Sequence, residues 1–380
     1  MYISKIILKN WKNFQDVKVP LRWRAFLIGP NASGKSNFLD AFRFLRSVAT
    51  EGLSRAVESR GGISAIRCLA ARRPSDVIIE VELSDKEGLK WTYALALNQD
   101  NQRRPIIKEE MVRKGDEPVL SRPSDEDKSD PERLTQTALE QISENRDFRP
   151  VADFFKSISY RHLLPQVVRD PRGFSPGLVR NDPYGRDFLL RMWETPKRTR
   201  DSRLRKITRA LKIVIPQLSE LFLKMDETTG VVHLIGRYEH WRPRGAKQDE
   251  SQFSDGTLRL LGLLWAVFEG MGPLLLEEPE ISLHSEVVRR LPTIFHRITR
   301  SRKQLRQILV STHSEEMLRD EGIAPEEVIL LQPGPNGTEV KLPEEVDVRA
   351  MREGRLTPAD ILMPKVAPEN PQQLELVFER

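Results

Sequence analysis

Apolar and polar positions change their rhythm several times along the 380-residue chain. Residues 2–9 alternate and are rich in isoleucine, the period-two pattern of a strand with one buried face. "AFLIG" (25–29) is a short unbroken apolar run ending on a glycine, which predicts a buried strand. Beyond it Phe38, Ala41, Phe42, Leu45 and Val48 recur at helical spacing. Strand, glycine-bearing loop and helix are expected in that order. At 76–97 the rhythm returns to two. "DVIIEVEL" and "KWTYALAL" predict antiparallel strands joined across "SDKEG", and "PIIKEEMV" (105–112) predicts a third.

The pattern then breaks. Residues 113–133 are polar, carry three prolines and show no period, so a mobile surface loop is expected. Helical spacing resumes over 132–160, through Leu134, Leu139, Ile142, Phe148, Val151, Phe154, Phe155 and Ile158. A Pro/Gly-rich connection at 171–185 leads to a second helical region over about 186–223. The last third alternates short apolar runs, "PLLLEE" (273–278), "QILVSTH" (307–313) and "EVILLQ" (327–332), with helical stretches. Short β-type runs separated by helices indicate a parallel sheet with crossover helices. The expected class is α/β, with an antiparallel β subdomain and a helical insertion. The segments are a first lobe at 1–115, a flexible loop at 116–131, a helical subdomain at 132–223 and a second lobe at 224–380. The tail at 363–380 is Pro-rich and then amphipathic, the pattern of a docking arm.

Composition narrows the class. Hydrophobic residues make up 39% and charged residues 31%, a soluble globular balance. No apolar run reaches the roughly 20 residues of a membrane span. The N-terminus lacks a signal-peptide pattern, and one cysteine, Cys68, cannot form an internal disulfide. A cytoplasmic setting is expected. The net charge of +6 permits nucleic-acid contact without establishing it.

"GPNASGKS" (29–36) fits G-x-x-x-x-G-K-[ST] and sits between the predicted strand and helix. Chance produces this pattern in about one chain in a hundred of this length at average composition, and the strand–loop–helix context lowers that further. The backbone N–H groups of Gly29, Pro30, Asn31, Ala32, Ser33, Gly34, Lys35, Ser36 and Asn37, proline excepted, are expected to cradle phosphates at a helix N-terminus. Lys35 is expected to reach the β- and γ-phosphates of ATP, and the Ser36 hydroxyl to ligate Mg²⁺.

Two further strand ends carry chemistry. "PLLLEEPE" places Glu277 and Glu278 directly after an apolar run. Glu277 is assigned to magnesium and Glu278 to the attacking water. "ILVSTHS" ends another strand at His313, within reach of a γ-phosphate or that water. Ligand sites of open α/β sheets lie at such carboxyl ends. "SDGT" (254–257) opens a helix. It is either an ordinary N-cap turn or half of an anion site.

Together these elements resemble the ABC-type ATPase heads of the SMC/RecF/OLD group, and more narrowly the bacterial OLD-like ATPases found in antiphage defence systems. The match is carried in order by "KNFQDV", "LIGPNASGKSNFLDAFRFLR", "RGG" (60–62), "LTQTALEQISENRDFRPVADFF", "FSDGTLRLLGLLWAV", "LLLEEPEISLH" and "VSTHSEEML". The resemblance implies that Ser254, Asp255, Gly256 and Thr257 form a signature contacting the γ-phosphate held by another protomer. ATP would then close a head-to-head homodimer. It implies a D-loop at 280–284 and a magnesium-sensing glutamine, Gln166 or alternatively Gln136. It also implies an effector partner, a nuclease in trans. Residues 37–253 lack sustained heptads, which excludes a long coiled-coil arm there. The 67 residues after His313 show no acidic metal cluster, so a nuclease is expected in a separate chain.

From Arg191 to Lys212 nine Lys/Arg face two acids. Leu204, Ile207, Leu211 and Val214 mark an apolar helix face. Lys197, Arg198, Arg200, Arg203, Arg205, Lys206 and Arg209 form the opposing stripe, either a solvated face or a DNA contact. "HWRPRGAK" (240–247) adds Trp241, Arg242, Arg244 and Lys247, either a further contact with DNA or a partner or simply a loop.

Overall fold

A computed structural model describes residues 1–73, 75–85, 88–170, 182–239, 246–300, 305–354 and 356–367. Its strands begin with β1 (Tyr2–Trp11), β2 (Phe14–Pro20), β3 (Arg24–Ile28), β4 (Val77–Ser84), β5 (Lys90–Gln99), β6 (Pro105–Lys114) and β7 (Glu117–Arg122). They continue with β8 (Ser159–Arg161), β9 (Leu218–Met225), β10 (Val232–Tyr238), β11 (Ala246–Gln248) and β12 (Leu274–Glu277). The last are β13 (Ile308–Thr312), β14 (Val328–Gly334) and β15 (Gly337–Lys341). The chain divides into two compact units, Met1–Ser159 with Met271–Leu275 and Lys303–Arg380, and Tyr160–Gly270 with Leu276–Arg302.

The first unit contains an antiparallel sheet ordered β2-β1-β4-β5-β6-β7. A second sheet runs β15-β14-β3-β13-β12-β8, and its last two strands begin in the first unit and end in the second. In it β3 pairs in parallel with both β13 and β14, while β15 returns antiparallel to β14. All five residues of β3 are buried, the apolar residues 25–28 as a strand inside a parallel sheet requires and Arg24 paired with Glu327. The helix Lys35–Glu51 buries Phe38, Phe42, Leu45 and Val48, the positions its spacing predicts. Phe38 meets Phe14 of β2 and Phe42 edge-on, and Trp11, Phe14, Phe38, Phe42 and Phe44 are essentially inaccessible. Each such side chain contributes roughly 1.5–3 kcal/mol of burial. The helix stops at Gly52, whose φ of 89° lies outside the helical region.

The polar stretch after β6 differs from the loop expected for it. It forms β7, the helix Asp125–Ser129 and a 3-10 turn at Pro131–Thr135. The cause is a buried charge cluster that no periodicity reveals. Arg122 donates to both oxygens of Asp127 (3.0 and 2.8 Å), to Glu110 (3.1 Å) and to the carbonyls of Arg133 and Gln136. Glu110, fully buried, also accepts from the Ala138 and Leu139 amides and from Tyr93 Oη. Gln136 therefore serves this clamp through its main chain. The region 132–160 is less helical than expected: 3-10 turns precede the helix Arg149–Lys156, and β8 follows.

In the second unit β11-β10-β9 form an antiparallel sheet. The helix Lys197–Val214 packs on β9 and on the helix Asp255–Phe268. β9 occupies the end of the region expected to be helical at 186–223. Among the described residues no helix is long and apolar enough to cross a membrane. Residues 368–380 of the expected docking arm lie outside the described residues, as do Trp241, Arg242 and Arg244.

Removing Arg122 would leave Glu110 buried without its cation and Asp127 with Arg133 alone. Arg122→Met is expected to destabilise the first unit by about 3–5 kcal/mol. A urea unfolding midpoint within error of the unsubstituted chain would show that the cluster does not hold this region.

Candidate functional site

The parallel register of β3 and β13 pairs Ile28 with Thr312. The next residue on each strand, Gly29 and His313, therefore emerges at the same sheet end. The phosphate loop begins on one strand and the histidine on its neighbour. Lys35 Nζ donates to the carbonyls of Gly29 and Pro30, each at 2.9 Å, and lies 3.4 Å from His313 Nδ1. The lysine is 5% exposed. With phosphate in the loop the same ammonium can turn to its oxygens.

The loop's glycines are required by close approach. Gly34 has φ 92°, and a Cβ there would collide with the Asn13 side chain. A Cβ at Gly29 would collide with the Leu331 carbonyl and Ser33 Oγ. Ala32 adopts φ 61°, the left-handed turn that lets successive amides face one way. The Ser33 hydroxyl is buried and has no hydrogen-bond partner among the described residues. These features fit an anion cradle. Mg²⁺ takes hard oxygen ligands and keeps several from water and phosphate. The Ser36 hydroxyl and the Glu277 carboxylate are donors of that kind.

Asn13 touches the phosphate loop, a contact that the motif reading missed although "KNFQDV" contains the residue. Its amide donates to Thr338 Oγ1 and to the Ser33 carbonyl (3.4 Å), and its carbonyl oxygen accepts from Asn37 (2.8 Å). Thr338 Oγ1 donates to the same Ser33 carbonyl at 2.8 Å, and the Thr338 amide donates to the Asn13 carbonyl at 2.7 Å. The turn between β1 and β2 and the β14–β15 hairpin thus clamp the phosphate loop from outside.

In the second unit β12 ends at Glu277, and Glu278 follows with φ 41°. Glu277 accepts a hydrogen bond from Tyr160 Oη, and its main-chain oxygen lies 3.0 Å from His162 Nδ1. Ser282 is also left-handed, at φ 64°. The turn at 254–257 packs on this loop: a Cβ at Gly256 would lie 2.6 Å from the Ser282 carbonyl. Only glycine permits that approach. Ser254 is an N-cap, its Oγ accepting from the Thr257 amide at 3.2 Å. Gln166 and Arg169 hold Asp255 at 3.1 and 2.6 Å, so Gln166 sits against the signature turn. Burial pushes the Arg259 guanidinium down, opposed by Asp255, Glu280 and Glu278. Glu269 binds Arg191 and Arg161, and burial pushes Arg161 down to about 10.

The basic helix divides its charges. Leu204, Ile207 and Leu211 are buried as expected, but Val214 is 47% exposed. Arg200 lies over the Trp193 ring and Arg203 over Trp265, both half-buried. Lys197, Arg198, Arg205, Lys206 and Arg209 are exposed.

A glycine-bearing loop that opens a helix beside a strand-end histidine is the arrangement of a phosphate-loop nucleotide site. Residues 24–319 match the family described as "AAA domain, putative AbiEii toxin, Type IV TA system", and the chain belongs to that family. Over 90 residues it is 32% identical to the DNA replication and repair protein RecF of Lactococcus lactis subsp. cremoris (strain MG1363). That stretch covers 23% of this chain and 25% of RecF, so the chain spans about a quarter of that relative. An SMC head solved with the C-winged helix domain of ScpA superposes with a TM-score of 0.58 at 16% identity, covering 93% of this chain and all of the other. An Smc head from Pyrococcus furiosus, with an extended coiled coil and bound to the C-terminal domain of ScpA, superposes at 0.52 with 14% identity over 93% and 100%. These two likenesses establish the fold.

Lys35→Ala is expected to abolish ATP binding in calorimetry. Asn13→Ala is expected to weaken it about tenfold, the equivalent of one lost buried hydrogen bond. ATP affinity unchanged in Asn13→Ala would remove the clamp from the site.

Proposed function

We propose that the protein is a Mg²⁺-dependent ATP hydrolase whose ATP-bound form is a head-to-head homodimer that switches a partner effector. The observation that carries the nucleotide part is the pairing of β3 with β13, which sets Lys35 beside His313 in a loop shaped for anions. In this reading Gly29–Asn37 bind the phosphates, and Ser36 and Glu277 hold Mg²⁺. That ion would supply charge neutralisation for the γ-phosphoryl group. Glu278 accepts a proton from the attacking water, and His313 orients that water or the γ-phosphate. Gln166 is the candidate magnesium sensor, and in this structure its amide is engaged by Asp255.

Ser254–Thr257 would complete the partner protomer's site. What supports this is chemical: an N-cap hydroxyl and helix-start amides form an anion site, and Gly256 keeps that turn flush against the loop carrying Ser282. The expected effector is a nuclease in trans, in an antiphage role. A second reading, a RecF-like ATP-dependent DNA-binding protein, is favoured by the RecF likeness and by the six exposed cations of the helix Lys197–Val214, Lys212 included.

Glu278→Gln should lower turnover by about 10²–10⁴-fold while ATP binding and dimerisation persist. Turnover at the unsubstituted rate would sink the assignment of the base. Ser254→Arg should leave ATP bound to monomers and block ATP-driven dimers in sedimentation. Dimers formed by that variant would remove the signature from the interface. Tight, ATP-modulated binding of duplex DNA by the isolated protein would decide for the RecF-like reading.

A further inference from the structure

In the reading above Glu277 is the carboxylate that holds Mg²⁺. Its side chain has one more methylene and one more rotatable bond than an aspartate, so its carboxylate samples more positions unless something holds it. The structure supplies a holder. Tyr160 is 6% exposed, and a buried phenol needs a hydrogen-bond partner. Its hydroxyl donates to Glu277 Oε2. Two residues on, just past the end of β8, His162 Nδ1 meets the main-chain oxygen of Glu277 at 3.0 Å. One segment therefore grips Glu277 by both its side chain and its backbone, at the residue before the left-handed Glu278.

We propose that Tyr160 is a positioning residue for the magnesium carboxylate: its hydroxyl fixes the Glu277 rotamer. The inference rests on the reading of Glu277 as the magnesium ligand. A carboxylate has two oxygens and several lone pairs, so it can accept from a phenol and still ligate a cation. Such outer partners set ligand orientation, and their loss typically costs 10–100-fold in metal affinity. Tyr160 touches neither nucleotide nor water in this scheme. It acts only through Glu277.

The test measures binding rather than turnover. Mn²⁺ stands in for Mg²⁺, and its binding to the full-length protein with a non-hydrolysable ATP analogue is followed by electron paramagnetic resonance. Tyr160→Phe keeps the buried ring and removes the donor. It should raise the Mn²⁺ concentration for half-saturation about tenfold or more, while metal-free nucleotide affinity stays unchanged. Tyr160→Phe combined with Glu277→Gln should be no worse than Glu277→Gln alone, because the two residues act as one unit. Glu277→Asp gives an independent arm. It withdraws the carboxylate from the phenol, so adding Tyr160→Phe should then change Mn²⁺ affinity less than twofold.

The failures separate. If Glu277→Gln leaves Mn²⁺ binding intact, the reading of Glu277 as ligand falls and takes the inference with it. If Glu277→Gln loses Mn²⁺ while Tyr160→Phe binds it normally, the reading stands and the role of Tyr160 is overturned. An equal loss from Tyr160→Phe with Glu277 unsubstituted and with Glu277→Asp in place would also overturn it.

Discussion

Five consecutive residue pairs between β3 and β13 are the constraint on which the nucleotide half of the protein depends. The strands are far apart in sequence, and parallel pairing demands a long crossover between them. A slip of one residue would turn each buried side chain of β3 to the other face. It would also carry His313 out of step with Gly29. Because β3 is buried throughout, the core itself enforces the register, and the chemistry at the strand ends inherits its accuracy. The outer clamp from Asn13 and Thr338 then sets the loop within that frame.

The second unit organises its chemistry around a short connecting segment. Tyr160 and His162 hold Glu277, while Gln166 and Arg169 hold Asp255 of the signature turn. Between them Leu163 lies so close to Gly262 that a Cβ there would crowd it. Five residues of the segment 160–169 thus touch the strand-end acid, the turn at 254–257 and the helix that follows. A shift of this segment would be felt at Glu277 and Asp255 together, since packed side chains transmit displacement instead of absorbing it.

Much of this was legible in the chain. The phosphate loop, the strand-end acids and His313 announce themselves by spacing, and β1, β3 to β6 and β12 to β14 follow their apolar rhythm. What stayed hidden depends on contacts distant in sequence. Arg122 orders a proline-bearing polar stretch through Glu110 and Asp127, and composition alone reads such a stretch as loop. Asn13 meets Thr338 across almost the whole chain, and Tyr160 meets Glu277 across 117 residues. β9 hides behind a helical pattern because its exposed residues, Ser219, Glu220 and Lys224, do not alternate strictly. Arg200 and Arg203 look like part of a solvated stripe until Trp193 and Trp265 are brought beneath them.

The loop after β12 is bracketed by two residues, Glu278 and Ser282, that occupy left-handed backbone without being glycine. Each such residue costs about 1–2 kcal/mol relative to the ordinary right-handed conformation. Glycine at either place would relax the turn. At 278 it would also delete the carboxylate assigned to the water, and at 282 it would loosen the carbonyl against which Gly256 is seated. The fold is therefore held short of the stability its own backbone would permit. Thermal selection acting alone on this chain would drift toward glycine at these two positions, giving a sturdier protein with a slack and chemically silent loop.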